Sequence, residues 1–283
     1  MNHYIIHLCV LLACLSNAQV LAINAQDVPK EVANVKRISS SLESSDPKIR
    51  REAVRQLALD HPEKKTANEI IPILVKGLGD DDDQVRTLMS AVAYRVAYAQ
   101  RLRAMRPDEI SNVDLSKSAE IARLLLKLID DKEADTRNHA ISTLGIAFAP
   151  QADIERHLVD RYKRESSVRV RETIVGVIGL SKYSSKDAIE TLIARLADEH
   201  PSVQARAAQA IGETKPELAL PRLIDAFPAR LPSVNQNILR AISKYGSSAK
   251  PFLPRLTEKL TQLRQGEEEL QKTIELIRST PEK

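Results

Sequence analysis

The sequence predicts an all-α protein, a right-handed α–α superhelix (α-solenoid) of about seven antiparallel helical hairpins. Three observations carry this. One phrase recurs with variation: DPKIRREAVRQLA at 46–58, DDDQVRTLMSAVA at 81–93, ADTRNHAISTLG at 134–145, SVRVRETIVGVIG at 167–179, SVQARAAQAIG at 202–212 and SVNQNILRAIS at 233–243. The residues that open these phrases, Ile49, Val85, Thr136, Val170, Val203 and Val234, stand 36, 51, 34, 33 and 31 apart, and a period in the thirties is that of a two-helix unit. Composition agrees: with 43% apolar and 28% charged residues the chain is globular, and eight Gly, 3% aromatics and no Trp leave Ala, Leu, Ile and Arg to build it.

Residues 1–25 stand apart from the repeat. Tyr4 to Leu15 is an apolar run broken by His7, too short to span a bilayer and long enough for a signal-peptide core. The expected organisation is a cleaved signal peptide at 1–25 and a solenoid at 26–283, which places the protein in the periplasm or outside the cell. The absence of Lys and Arg before Lys30 leaves open an apolar leader on a cytosolic protein. Both cysteines, Cys9 and Cys14, fall in the leader, so the mature chain carries no disulfide and no thiolate ligand. Leu11-Leu12-Ala13-Cys14 is similar to a lipoprotein processing site, which keeps a lipid anchor at Cys14 as the alternative, with no integral span.

The first helix is expected around Val32 to Leu42. Its partner begins at Ser45 or Asp46, with Pro47 at the first helical position. In each second helix the opening residue is followed at offset 4 by Ala53, Met89, Ala140, Ile174, Ala207 or Ile238. Offset 8 holds Leu57, Ala93, Leu144, Ile178, Ile211 or Ile242. Offsets 0, 4 and 8 form one buried stripe. Gly145, Gly179 and Gly212 suit left-handed C-caps. The first helices read as 70–78, 121–129, 154–162, 188–196 and 220–227, several leading into acidic turns that face the positive end of the next helix. Between Val85 and Thr136 the step is long, so the helix from Gln84 is expected to run to Met105 and an insertion to occupy 94–120. That insertion is either a lengthened loop or a binding element. A hairpin at 249–279 closes the stack as a cap.

The turn Asp46-Pro47, the apolar-Arg pairs Ile49-Arg50, Val85-Arg86 and Val170-Arg171, and the Ala-x-x-x-Leu stretches after them resemble the HEAT repeat family. The resemblance covers about residues 32–246. It implies a ladder in which turn acids meet Arg50, Arg86, Arg137 and Arg171. Gln204 and Asn235 replace the arginine later, so the ladder is expected to weaken toward the C-terminal end.

Nothing in the sequence points to catalysis. There is no phosphate-binding glycine loop, nucleophile elbow or dinucleotide fingerprint, and His61, His139, His157 and His200 show no ligand spacing. No cofactor and no metal are expected. Asp80–Asp83 lacks the alternating plan of a calcium loop and reads as a capped turn. The expected function is protein binding. Offsets 2 and 6 line the inner, concave face, so the candidate contacts are Arg51, Arg55, Asn138, Ser142, Glu172, Gln209, Gln236 and Arg240, with His139 beside them. Arg101, Arg103 and Arg106 form a basic cluster on the insertion. The leading expectation is an exported scaffold that binds an envelope protein and no nucleic acid. The alternatives are a repeat-type lyase or enzyme accessory subunit, for which His139 and Glu172 would share a pocket, and a cytosolic nucleic-acid-binding solenoid.

Overall fold

The structure, a computed structural model, describes residues 35–60, 62, 67–105, 114–148, 152–181, 185–229, 231–262 and 267–281. Side chains at 103–105, 152, 260–262 and 267–270 are not described. The chain divides into two units, Met1–Ala33 and Asn34–Lys283, and every described residue belongs to the second. The expected signal peptide, Cys14, His61 and Arg106 lie outside the described residues.

Fourteen α-helices among the described residues pair into seven hairpins. These are α1 Val35–Ser41 with α2 Pro47–Leu59, α3 Ala67–Leu78 with α4 Asp83–Met105, and α5 Ala119–Leu128 with α6 Ala134–Ala147. They continue as α7 Ala152–Tyr162 with α8 Val168–Leu180, and α9 Lys186–Ala194 with α10 Pro201–Thr214. The last pairs are α11 Ala219–Ala226 with α12 Pro232–Ser243, and α13 Leu253–Gln262 with α14 Glu267–Ser279. The second helices α2, α4, α6, α8, α10, α12 and α14 touch in that order, so the hairpins stack and each repeat meets its neighbours.

The helices start where capping chemistry allows. Asp46, Ser118, Ser167 and Ser185 each accept a backbone N–H of the first turn, and Pro47, Pro201 and Pro232 occupy first-turn positions that need no donor. The offset 0, 4 and 8 stripe is the core: Val85, Met89, Ala93, Val170, Ile174, Ile178, Val203, Ala207 and Ile211 are all fully buried. Each large aliphatic side chain so placed contributes about 1.5–3 kcal/mol. Thr136 occupies a core position without penalty because its hydroxyl meets that of Thr87 at 2.7 Å.

Two expectations need correction. Ile49 is 48% exposed although it heads the stripe of α2. Thr136 shows why: the opening residue packs on the preceding second helix, and no described second helix precedes α2. Gly145, Gly179 and Gly212 are not left-handed caps, since each lies inside its helix. They are glycine because the next second helix comes too close. A Cβ on Gly179 would sit 2.4 Å from the Cβ of Ala210, one on Gly145 would sit 2.7 Å from Val177, and one on Gly212 would sit 2.9 Å from the Cα of Ala241. The left-handed cap of α10 is Lys215, at φ 47°.

Candidate interaction surface

The turns carry a repeated polar device. The residue after each opening position reaches back to its own turn. Arg50 donates to the carbonyls of Ser44 and Ser45, Arg86 to Asp80 and Asp81, Arg137 to Asp131 and Lys132, and Arg171 to Ser166, all within 3.2 Å. Gln204 donates to the Asp198 carbonyl at 2.6 Å and Asn235 to that of Ala229 at 3.3 Å. The four arginines also reach forward to the next turn: Arg50 to Asp80, Arg86 to Asp131, Arg137 to Glu165 and Arg171 to Asp198. Each of these acids accepts a backbone N–H two residues on, from Asp82, Glu133, Ser167 and His200. The acids are nearly sealed from solvent, with side-chain exposures of 6%, 4%, 0% and 4%. Burial alone pushes Asp80, Glu165 and Asp198 up. Hydrogen bonds from Arg50, Arg137 and Tyr162 respectively, with further donors, outweigh it and hold all three below the usual carboxylate range. The ladder ends at Asp198, and Gln204 and Asn235 keep only the inward clasp.

The same device explains Asp80–Asp83. Asp80 and Asp81 take Arg50, Asp82 takes Arg51 at 2.8 Å, and Asp83 takes Arg86 and Lys132. The Arg51 hydrogen bond, against burial, lowers Asp82 to about 2. The run is matched by cations of the protein itself.

The predicted inner-face residues fall into three groups. Asn138 and Ser142 are 1% and 7% exposed, so they are not open to a partner; Asn138 accepts a 2.6 Å hydrogen bond from Thr173 of α8. Arg51, Glu172 and Gln209 are half-buried and engaged, by Asp82, Ser202 and Arg206. Gln236 and Arg240 are exposed, and Arg55 is half-buried beside Glu52. The middle of the second-helix face is thus closed by its own side chains. Small residues there let neighbouring helices meet, and Gly176 accommodates the Arg206 guanidinium.

The long helix ends differently. The other second helices, apart from the shorter last turn of α12, run 13 or 14 residues; α4 runs 23. The helix is held at both sides. In the turn just before its extra turns Arg95 donates to the Ala58 carbonyl, and within them Gln100 bonds to Asp114 and to the N–H of Leu115, each at 3.0 Å. Leu115, in the short 3-10 helix Leu115–Lys117, is fully buried. Tyr98, on this overhang, stacks on Tyr94, just before it, with ring centroids 6.3 Å apart, and Tyr94 lies 6.2 Å from the ring of His139. Arg101 is half-buried one turn further on, whereas the Arg103 side chain and Arg106 lie outside the described residues. The tyrosines were missed from sequence. The available signal was two Tyr four residues apart in a chain with six.

The three described histidines serve structure. His139 meets Ser90 at 3.4 Å; burial, with Arg169 nearby, lowers it to about 4. His157 bonds the Asp153 carbonyl of its own helix. His200 caps α10, and its ring nitrogen lies 2.6 Å from the Ser202 hydroxyl, which bonds Glu172. His139 and Glu172 thus take different partners, Ser90 and Ser202. Among the described residues no group of three or more His, Cys, Asp or Glu is placed to hold a metal, and no helix is long and apolar enough to cross a membrane.

Comparison with known proteins agrees with this architecture. A family model described as HEAT repeats matches residues 154–230 and 189–270. No curated protein sequence matches the chain. An engineered protein aligns with 87% of this chain and 69% of its own at 18% identity and TM-score 0.57. Importin beta aligns with 86% of this chain at 15% identity and TM-score 0.54, the match spanning 35% of importin beta. The complex of CpcE and CpcF of phycocyanin lyase from Nostoc sp. PCC7120 aligns over 91% of this chain and 98% of that one, at 13% identity and TM-score 0.50. The chain has an all-α, HEAT/armadillo-like solenoid fold of stacked helical hairpins.

Proposed function

We propose that this chain is an exported, non-catalytic scaffold, periplasmic or secreted, that binds another envelope protein. Its contacts are the open parts of the second-helix face, at Arg55, Gln236 and Arg240, and the 94–120 segment. The observation that carries the reading is the α4 overhang. The repeat needs no helix of this length, yet the extra turns are fastened through Gln100 and Leu115 and carry Tyr98 and Arg101, residue types enriched where interfaces gain their energy. Export rests on the apolar leader and on a mature chain without cysteine.

Two measurements test this. Intact-mass analysis of the purified protein reads the N-terminus: loss of about residues 1–25 is expected, a lipid on Cys14 changes the reading to a tethered protein, and an intact leader overturns export. Affinity capture from an envelope fraction is expected to recover a partner that is lost when Arg101, Arg103 and Arg106 are reversed to Glu. Recovery of no specific partner counts against the scaffold reading.

A further inference from the structure

Resting on the scaffold reading, the chemistry of the overhang names a class of partner. From Gln84 to Pro107 the chain has five arginines and no carboxylate. Two of the five are spent inside the fold: Arg86 on Asp131 and Asp83, and Arg95 on the Ala58 carbonyl. No hydrogen bond or ion pair of Arg101 is found among the described residues. Tyr94, Tyr98 and Arg101 follow at spacings of four and three, which places them on one helical face. A cation thus shares a helical face with two stacked rings, one of which, Tyr94, lies against the ring of His139. A basic final turn offsets the negative end of a helix, but that need does not call for the tyrosines, and Arg101 lies a turn inside the end.

We propose that Tyr98 and Arg101, backed by Tyr94 and His139, dock an acidic segment of a partner polypeptide. One carboxylate meets the Arg101 guanidinium, and an adjacent apolar or aromatic side chain covers the Tyr98 ring. A planar guanidinium recognises a single carboxylate in two parallel hydrogen bonds, so one well-placed arginine suffices. Nucleic acid would call for a row of cations along successive phosphates. A membrane surface would call for protruding apolar groups, whereas these rings are half-buried.

The test uses the full chain and a short fluorescein-labelled peptide of alternating Glu and Phe, read by fluorescence anisotropy. The same peptide with Lys for Glu, an oligothymidylate and phosphatidylglycerol vesicles complete the set. The Glu/Phe peptide is expected to bind best and to weaken as salt rises. Arg101→Glu and Tyr98→Ala are each expected to lose about tenfold or more in affinity, while Arg101→Lys and Tyr98→Phe keep most of it. Unchanged thermal melts establish that the variants are folded. Equal binding of the Glu and Lys peptides overturns the proposal. So does wild-type affinity in both disruptive variants, or tightest binding of the oligonucleotide or vesicles. Envelope capture separates this proposal from its parent. If wild type and both variants recover the same partner equally, the scaffold stands and acidic docking falls. If wild type recovers none while the peptide binds as expected, the docking chemistry stands and the envelope-scaffold reading falls.

Discussion

Arg137 and Glu165 meet through two parallel 2.8 Å hydrogen bonds with almost no solvent contact, and Arg161 closes on the same carboxylate. Removing the acid strands two guanidinium groups, so Glu165→Ala is expected to cost about 3–5 kcal/mol in urea denaturation. Asp130→Ala, at an exposed pair with Arg164 and a longer 3.4 Å contact to Arg161, which keeps Glu165, is expected to cost less than about 1 kcal/mol. The glycines give a second contrast. Gly179→Ala drives a methyl into Ala210, including its Cα at 2.8 Å, and is expected to cost about 1–3 kcal/mol. Gly176→Ala meets only the side chain of Arg206, at 3.3 Å, and is expected to cost less. The same denaturation series reads both. Acid response separates by residue type. His139 is a base whose folded value is about 4 against 6.5, so the unfolded chain takes its proton first, and stability falls as pH drops from 6.5 to 4. The carboxylates Asp80, Glu165 and Asp198 are depressed; their contribution is present above the unfolded carboxylate range and is lost as pH falls through their folded values. His139→Gln is therefore expected to remove on the order of 1–3 kcal/mol of pH dependence in the upper window only.

At the scale of the helix, the boundaries followed from letters that carry the relevant physics. The 3.6-residue stripe places the hairpins, and the long step between Val85 and Thr136 gave a helix expected from Gln84 to Met105, against the Asp83–Met105 found. What the letters did not carry was proximity. Gly179 has one symbol whether it caps a helix or lies against Ala210. The inward clasp of Arg50 or Gln204 ends on backbone carbonyls, which no residue type marks. Asn138 and Ser142 sit at inner-face offsets, but how far adjacent second helices close over them depends on interhelical distance, which periodicity does not encode. The fading of the ladder, in contrast, is readable from the exchange of Arg for Gln204 and Asn235, and it bears on local stability. Helices α2 to α10 are cross-linked by buried ion pairs; α10 and α12 are joined by apolar contacts such as Gly212 on Ala241, with a lysine-glutamate pair from Lys244 to Glu213. Amide hydrogen exchange is expected to be faster in α11 to α14 than in α6 and α8. Equal protection across these six helices would show that the ion pairs do not set the order of opening.

Across the whole stack, each ladder link spans two units, so no hairpin carries a complete set of its own partners. Stability is then shared between neighbours, and removing an interior unit leaves both an arginine and an acid without mates. The ladder also runs one way: arginine from the earlier unit, acid from the later. At the first described turn the acid's place is taken by Ser44, which accepts the Asp46 N–H as the acids do but offers no charge to an incoming arginine. In the sixth hairpin Ala229 stands where an acid would, and Asn235 where an arginine would. Among the described turns, the first thus lacks the acid of this device and the sixth lacks both the acid and the arginine. Open-ended head-to-tail contact is what turns stacked repeats into fibres. Ser44 gives an arginine from another copy no charge to meet, so the ladder itself does not favour such contact at the first described turn.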